Sequence, residues 1–271
     1  MSIKRKIIHI DTPQGQPGFL GRGHVARPVI RRSFAESDPF IMLMDDMLDK
    51  KDDLPVGGPH PHAGFETVSL LIEGEMGEMK AGDFQIMTAG SGVIHTETID
   101  RPTKMRLLQL WLNLPKSNRW AAPRLQDLKA EHVPHFSGNG VDIRLYSREL
   151  SGLTSPVQNY TPMILADIKI QPGITTIQQL PANFNTFLYV LSGSVTVDDD
   201  ETVLNGNQVG WLDIFNSDAS SRLKLKAGEK GVPLSCTQED QLVMLLFLTG
   251  PLLQVATRIS CGYTTNTARE K

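Results

Sequence analysis

Pro59-His60-Pro61-His62-Ala63-Gly64-Phe65-Glu66-Thr67-Val68 runs on through Ser69 to Ile72, and a second short segment, His95-Thr96-Glu97, follows Gly90-Ser91-Gly92. The segments His60-Pro61-His62 and His95-Thr96-Glu97 each place two potential metal ligands two residues apart. On a strand, positions i and i+2 share a face, so each segment presents both ligands in one direction. Two such strands facing each other would surround an ion with three imidazoles and one carboxylate. That donor set suits a first-row divalent metal, and four protein ligands leave positions open for a substrate or dioxygen. The pattern points to a catalytic metal site, not a closed structural one.

Working outward, short β-rich runs recur at Phe65 to Ile72, Met105 to Leu112, Met163 to Ile170, Thr186 to Val197 and Gln241 to Leu248. The 23 glycines and 17 prolines are scattered between them. Short strands separated by turn residues are the signature of sandwiches and barrels, so the expected class is all-β. Helical periodicity is nearly absent, with room for a turn or two at Ala122 to Ala130. The stretch from Leu114 to Phe136 is less apolar and carries Pro115, Pro123 and Pro134, which reads as a connector. The division expected from it is an N-terminal metal-binding domain, residues 1–145, and a C-terminal domain, residues 146–271, without a metal site.

A weak internal repeat agrees with two units. Gly64-Phe65-Glu66-Thr67 lies ten residues before Gly74, and Asn183-Phe184-Asn185-Thr186 lies ten before Gly193. Carrying that register back sets His60 against Gln179 and His62 against Pro181. Aligning Gly82-Asp83-Phe84 with Gly206-Asn207-Gln208 more loosely sets His95 against Ala219 and Glu97 against Ser221. In that register only the first copy has ligands.

With 271 residues the chain can build a sizeable core without staples. A formal net charge of -3, with 21% charged residues, leaves no basic footprint for direct nucleic-acid or anionic-membrane binding. No apolar run approaches the roughly 20 residues of a membrane span, and Met1 to Pro13 lacks the apolar stretch of a secretion signal. Two cysteines, Cys236 and Cys261, suit a reducing compartment better than a disulfide framework. The expectation is a cytoplasmic protein.

The run Pro59 to Val68 followed by Glu73-Gly74-Glu75 resembles the first signature of the pirin family of the cupin superfamily. Gly82-Asp83-Phe84-Gln85-Ile86-Met87-Thr88-Ala89-Gly90-Ser91-Gly92 running into His95-Thr96-Glu97 resembles the second, and Leu108-Gln109-Leu110-Trp111-Leu112-Asn113-Leu114-Pro115 resembles a further segment. The resemblance covers roughly residues 18 to 250. It implies two tandem cupin barrels, each a double-stranded β-helix or jelly roll, with one mononuclear Fe(II) site in the N-terminal barrel. The implied ligands are His60, His62, His95 and Glu97, with Glu97 also a candidate catalytic base. Other first-row divalent ions fit the same donors. Family members include flavonol (quercetin) 2,3-dioxygenases and regulatory proteins that bind a partner protein. The implied activity is therefore an iron-dependent oxidoreductase acting on a flavonol-like substrate, the alternative being partner control without turnover. A monomer is expected.

The chain departs from the family pattern in three places. Only seven residues separate Gly74 from Gly82, which cuts back one rim of the barrel; Ala63 stands where the family usually has arginine; and the chain ends soon after Asn266-Thr267. Glu66, four residues past His62, sits where many other cupins carry a ligand glutamate, but it has no metal role in pirin-like proteins. Gln109 reaches either the pocket or a backbone group. Phe65, Met87, Met105 and Trp111 read as core or cavity lining, and His9, His24, His132 and His135 as ordinary surface or loop residues. Gly90 and Gly92 suit a tight turn before the ligand strand, where positive φ is needed.

Overall fold

A computed structural model describes residues 3–198, 201–228 and 243–251. Cys236, Cys261 and the C-terminal stretch with Asn266-Thr267 lie outside the described residues. The described chain is all-β, with one four-residue α-helix at Phe34–Ser37 and two single turns of 3-10 helix. No helix among the described residues is long and apolar enough to cross a membrane.

The sequence-read runs are strands. Phe65–Glu73, Thr103–Asn113, Ile164–Ile170 and Val243–Pro251 each form one. The run at Thr186 to Val197 is two, Phe184–Ser192 and Ser194–Val197, hinged at Gly193, whose φ of 76° suits glycine. One expectation fails: Arg124–Leu128 is a strand paired along its length with Phe84–Thr88, not a helical turn. Sheet pairing overrides the weak local helical pattern there.

The first barrel is built on a seven-stranded sheet in the spatial order Arg124–Leu128, Phe84–Thr88, Phe65–Glu73, Thr103–Asn113, Phe40–Lys50, His24–Pro28 and Gln16–Pro17. Facing it are the two-stranded sheet His60–His62 with Val93–His95 and the small hairpin Glu75–Met76 with Met79–Lys80. The second barrel sets another seven-stranded sheet against a five-stranded one. Strand pairing assigns the N-terminal strands Ile3–Lys4 and Ile7–Asp11 to this second unit, and the division the sequence put at residue 145 runs through the strand Val141–Ser147.

Alternation along each strand decides what each face meets. From Phe65–Glu73, residues Val68 and Leu70 join Leu108, Leu110, Leu112 and Leu43 in one cluster with Leu165, Phe187, Tyr189 and Trp211 of the second barrel. The two seven-stranded sheets therefore pack back to back, and two aromatic contacts cross between them: Phe40 on Phe187 at 5.2 Å and Phe84 stacked on Tyr146 at 5.5 Å. The opposite residues of the first sheet, Leu71, Met105, Leu107 and Leu48, line the first barrel's interior.

The second barrel's interior is apolar, with Leu180, Val195, Leu204, Leu223 and Leu225 among its members. Its strand Thr175–Pro181 turns Gln178 and Leu180 inward and leaves Gln179 exposed. The repeat register that set the histidine pair against Gln179 and Pro181 is thus one residue off in facing. With a side-chain period of two, that slip exchanges inside for outside.

Candidate metal centre

The ligand hairpin places His60 directly opposite His95 and His62 opposite Val93. Between the histidines, Pro61 faces Ile94 on the outer side of this short sheet, where a residue with no N–H to donate is tolerated. The glycines before His95 do what the sequence suggested. Gly90 has φ 49° and Gly92 φ 128°, and a Cβ on Gly90 would stand 2.0 Å from the Ala121 carbonyl oxygen.

Nitrogens of His60, His62 and His95 all lie within 4.8 Å of one another, and this is the one such group among the described residues. Nδ1 of His60 lies 2.8 Å from the Gly58 carbonyl oxygen, to which it donates; its hydrogen-free Nε2 then faces Nε2 of His95 at 2.9 Å. A carbonyl holding the far nitrogen is the usual way a ligand imidazole is oriented. Two nitrogens each about 2.1 Å from one ion and at a right angle would stand about 3.0 Å apart, close to this spacing. The donor set therefore fits a first-row divalent ion. Trp111 and Phe65 wall the group, with ring centroids 5.2 and 5.1 Å from His62.

Burial and the neighbouring imidazoles favour the neutral form of His62 and His95. Burial first, then the neighbouring His95 and His60, push His62 down to about 4. Burial also lowers His95, and His60 adds to this while Glu97 opposes it. Neutral imidazoles are the form that binds metal.

The structure draws together three of the four sequence-read ligands. Glu97 lies beyond the strand end, where both its carboxylate oxygens accept hydrogen bonds from Nε2 of Gln109, at 2.9 and 3.1 Å. Gln109 thus reaches the pocket, not the backbone. Glu97, Gln109 and His60 line one cavity of about 250 Å³, just below the roughly 300 Å³ at which ligand pockets usually begin. Its other walls are largely apolar and include Phe19, Leu20, Ile99, Met105 and Leu107. Met76, from the shortened 74–82 segment, also lines it, so the cut-back rim still contributes a wall.

Two polar residues at this cavity escaped the sequence reading. His24, read as a surface or loop residue, has a fully buried side chain and pairs at 2.9 Å with Asp46, which lines the cavity. The signal for Asp46 was present: Met42, Met44, Asp46 and Leu48 alternate on one strand, and Asp46 is the polar interruption on that face. Glu66 lies on the opposite strand face from the histidines, fully buried and accepting a hydrogen bond from Thr88, and burial raises its pKa.

The fold and this group define a class: a two-barrel cupin whose first barrel carries three imidazoles able to hold a metal. A model of the Pirin family matches residues 24–112. Pirin from Homo sapiens is 38% identical over 211 residues, covering 74% of this chain and 71% of that protein, and the chain belongs to the pirin family. Among solved structures, GK1651 from Geobacillus kaustophilus matches with a TM-score of 0.81 and 29% identity over 95% of this chain and all of that one. A quercetin 2,3-dioxygenase from Acinetobacter baumannii matches with a TM-score of 0.77 and 25% identity, covering 93% and 88% of the two chains.

Proposed function

We propose that this chain is a metal-dependent dioxygenase of the quercetin 2,3-dioxygenase type, converting an enolisable flavonol-like compound and dioxygen to a depside and carbon monoxide. The observation that carries the reading is the junction of His60 and Glu97 with a largely apolar cavity, which brings a ligand-sized space to the edge of the three-imidazole group. Similarity to the Acinetobacter baumannii enzyme supports the same substrate class.

In this reading His60, His62 and His95, with Glu97 as the fourth ligand, would hold iron(II). A divalent ion supplies Lewis acidity toward the substrate hydroxyl and, as iron, one-electron chemistry toward dioxygen. The chain's own groups do the rest. Apolar walls hold the planar body of the substrate and exclude water, and the Gln109 amide fixes the orientation of Glu97. Glu97, within the cavity, accepts the hydroxyl proton. Iron is the assigned ion, but the donors accept other first-row metals, so metal found after expression in a host need not be the native one.

The test is quercetin consumption in air by protein loaded with Fe(II) without oxygen, compared with metal-free protein. Turnover that depends on added iron is expected. An iron-loaded protein that leaves quercetin and simpler flavonols untouched contradicts the assignment and favours control of a partner protein instead.

A further inference from the structure

The proposed chemistry uses the end of the cavity at His60 and Glu97. It does not use Asp46, whose side chain is 91% buried and still lines the same cavity. Asp46 stands opposite Leu107 on the neighbouring strand, while Gln109, which holds Glu97, stands opposite Met44. Asp46 therefore lies one side-chain layer along the barrel from Gln109, about 7 Å at the usual rise per residue. Its carboxylate is tied on one side. Leu20 N–H donates to Nδ1 of His24 at 3.1 Å, which leaves the proton on Nε2, and Nε2 donates to Oδ1 of Asp46. His24 is its one hydrogen-bond partner among the described residues.

The His24 ring is itself clamped. A Cβ on Gly18 would fall 2.0 Å from it, and Phe19 packs edge-on at 5.6 Å. The loop that carries the cavity walls Phe19 and Leu20 is thus locked to Asp46 through one imidazole. A carboxylate so oriented on an otherwise apolar wall has acceptor capacity to spare, and filling the cavity with a molecule that offers no donor would remove water from it without replacement.

We propose that Asp46, positioned by His24, is the specificity-determining residue of this cavity: it accepts a hydrogen bond from a second hydroxyl on the ligand, remote from the one at the metal end. The inference rests on the proposed site and deepens it. The substrate class becomes planar polyhydroxylated compounds with two polar ends separated by an apolar body, and analogues that keep only the enolic end are discriminated against. A hydrogen bond to a charged acceptor at a desolvated position gives roughly ten- to hundredfold selectivity.

The experiment measures anaerobic binding of quercetin and of 3-hydroxyflavone, which keeps only the hydroxyl-keto pair, to the metal-loaded full chain. Wild type is compared with Asp46→Asn and Asp46→Leu, and thermal melting confirms folding. Wild type should prefer quercetin by roughly ten- to hundredfold. In Asp46→Asn the side-chain oxygen keeps the His24 bond and presents an amide donor to the cavity, so the preference should collapse to within about threefold. Asp46→Leu should lose quercetin affinity and gain affinity for 3-hydroxyflavone. Equal wild-type affinities, no binding of either compound, or a preference unchanged in folded Asp46→Asn overturns the proposal. Binding is read without turnover, so selectivity that depends on Asp46 in a protein that consumes neither compound would sink the dioxygenase reading while leaving this one standing.

Discussion

At the scale of single residues, the centre is organised by what each imidazole is denied. His62 is packed against Trp111 and Phe65 and beside two other imidazoles, which depresses its pKa to about 4. In the unfolded chain a histidine titrates near 6.5. Below that value the unfolded state takes up a proton that the folded state refuses, so stability contributed by neutral His62 is fully present above about pH 6.5 and is lost as pH falls toward 4. Urea unfolding of the metal-free protein between pH 7.5 and 4.5 should show this decline, and His62→Asn should flatten it. Identical slopes for wild type and variant would show that His62 does not carry the effect. The same sign holds for the metal, since acid protonates the ligands that bind it. The sequence displayed the histidines because i, i+2 spacing on a strand is visible in one dimension. It did not display the His24–Asp46 pair, whose members stand on adjacent strands 22 residues apart and meet only after sheet pairing.

At the scale of elements, strands were legible in apolar runs closed by glycine or proline, as at Phe65–Glu73 and Ile164–Ile170, while the strand Phe40–Lys50, broken by Asp45, Asp46 and Asp49, was not. Arg124–Leu128 was not legible either, because only Leu128 of its five residues is buried and its strand character comes from pairing with Phe84–Thr88. The ligand hairpin needs more than its motif. Beyond His95 the chain runs past Gly57, where any Cβ would come within 2.8 Å of the Glu97 carbonyl oxygen, and rejoins the opposite strand at the Val56–Ile99 bridge. That close approach turns the segment carrying Glu97 back along the cavity. The repeat was legible in its turns and unreliable in its register, since glycine positions mark where strands end but not which face each residue takes.

At the scale of the whole molecule, the two barrels share one core, and its polar centre is Asp45. This fully buried carboxylate accepts hydrogen bonds from Arg106 at 2.8 and 2.9 Å, from Arg27 at 2.6 Å and, across the barrel interface, from Tyr189 at 2.6 Å. Burial alone would raise its pKa, but Arg106, Tyr189 and Arg27 together hold it below the ordinary carboxylate value. Asp45→Ala strands two arginines at a closed interface and should destabilise the folded chain by about 3–5 kcal/mol. Chemical denaturation would read that loss, and a change under about 1 kcal/mol would mean that water reaches the pair. Asp45 and Asp46 each interrupt one apolar face of the strand Phe40–Lys50, and only the packing of the two faces gives them different surroundings. One points into the interface and the other into the cavity because strand neighbours face opposite ways.

The account depends most on the three imidazoles acting together as a metal site, and bound metal counted after anaerobic Fe(II) loading tests this directly. Wild type should retain about one ion per chain, as a single mononuclear site requires, and a folded variant carrying both His60→Ala and His95→Ala should retain none. Equal metal in the two proteins, or none in wild type, would contradict it.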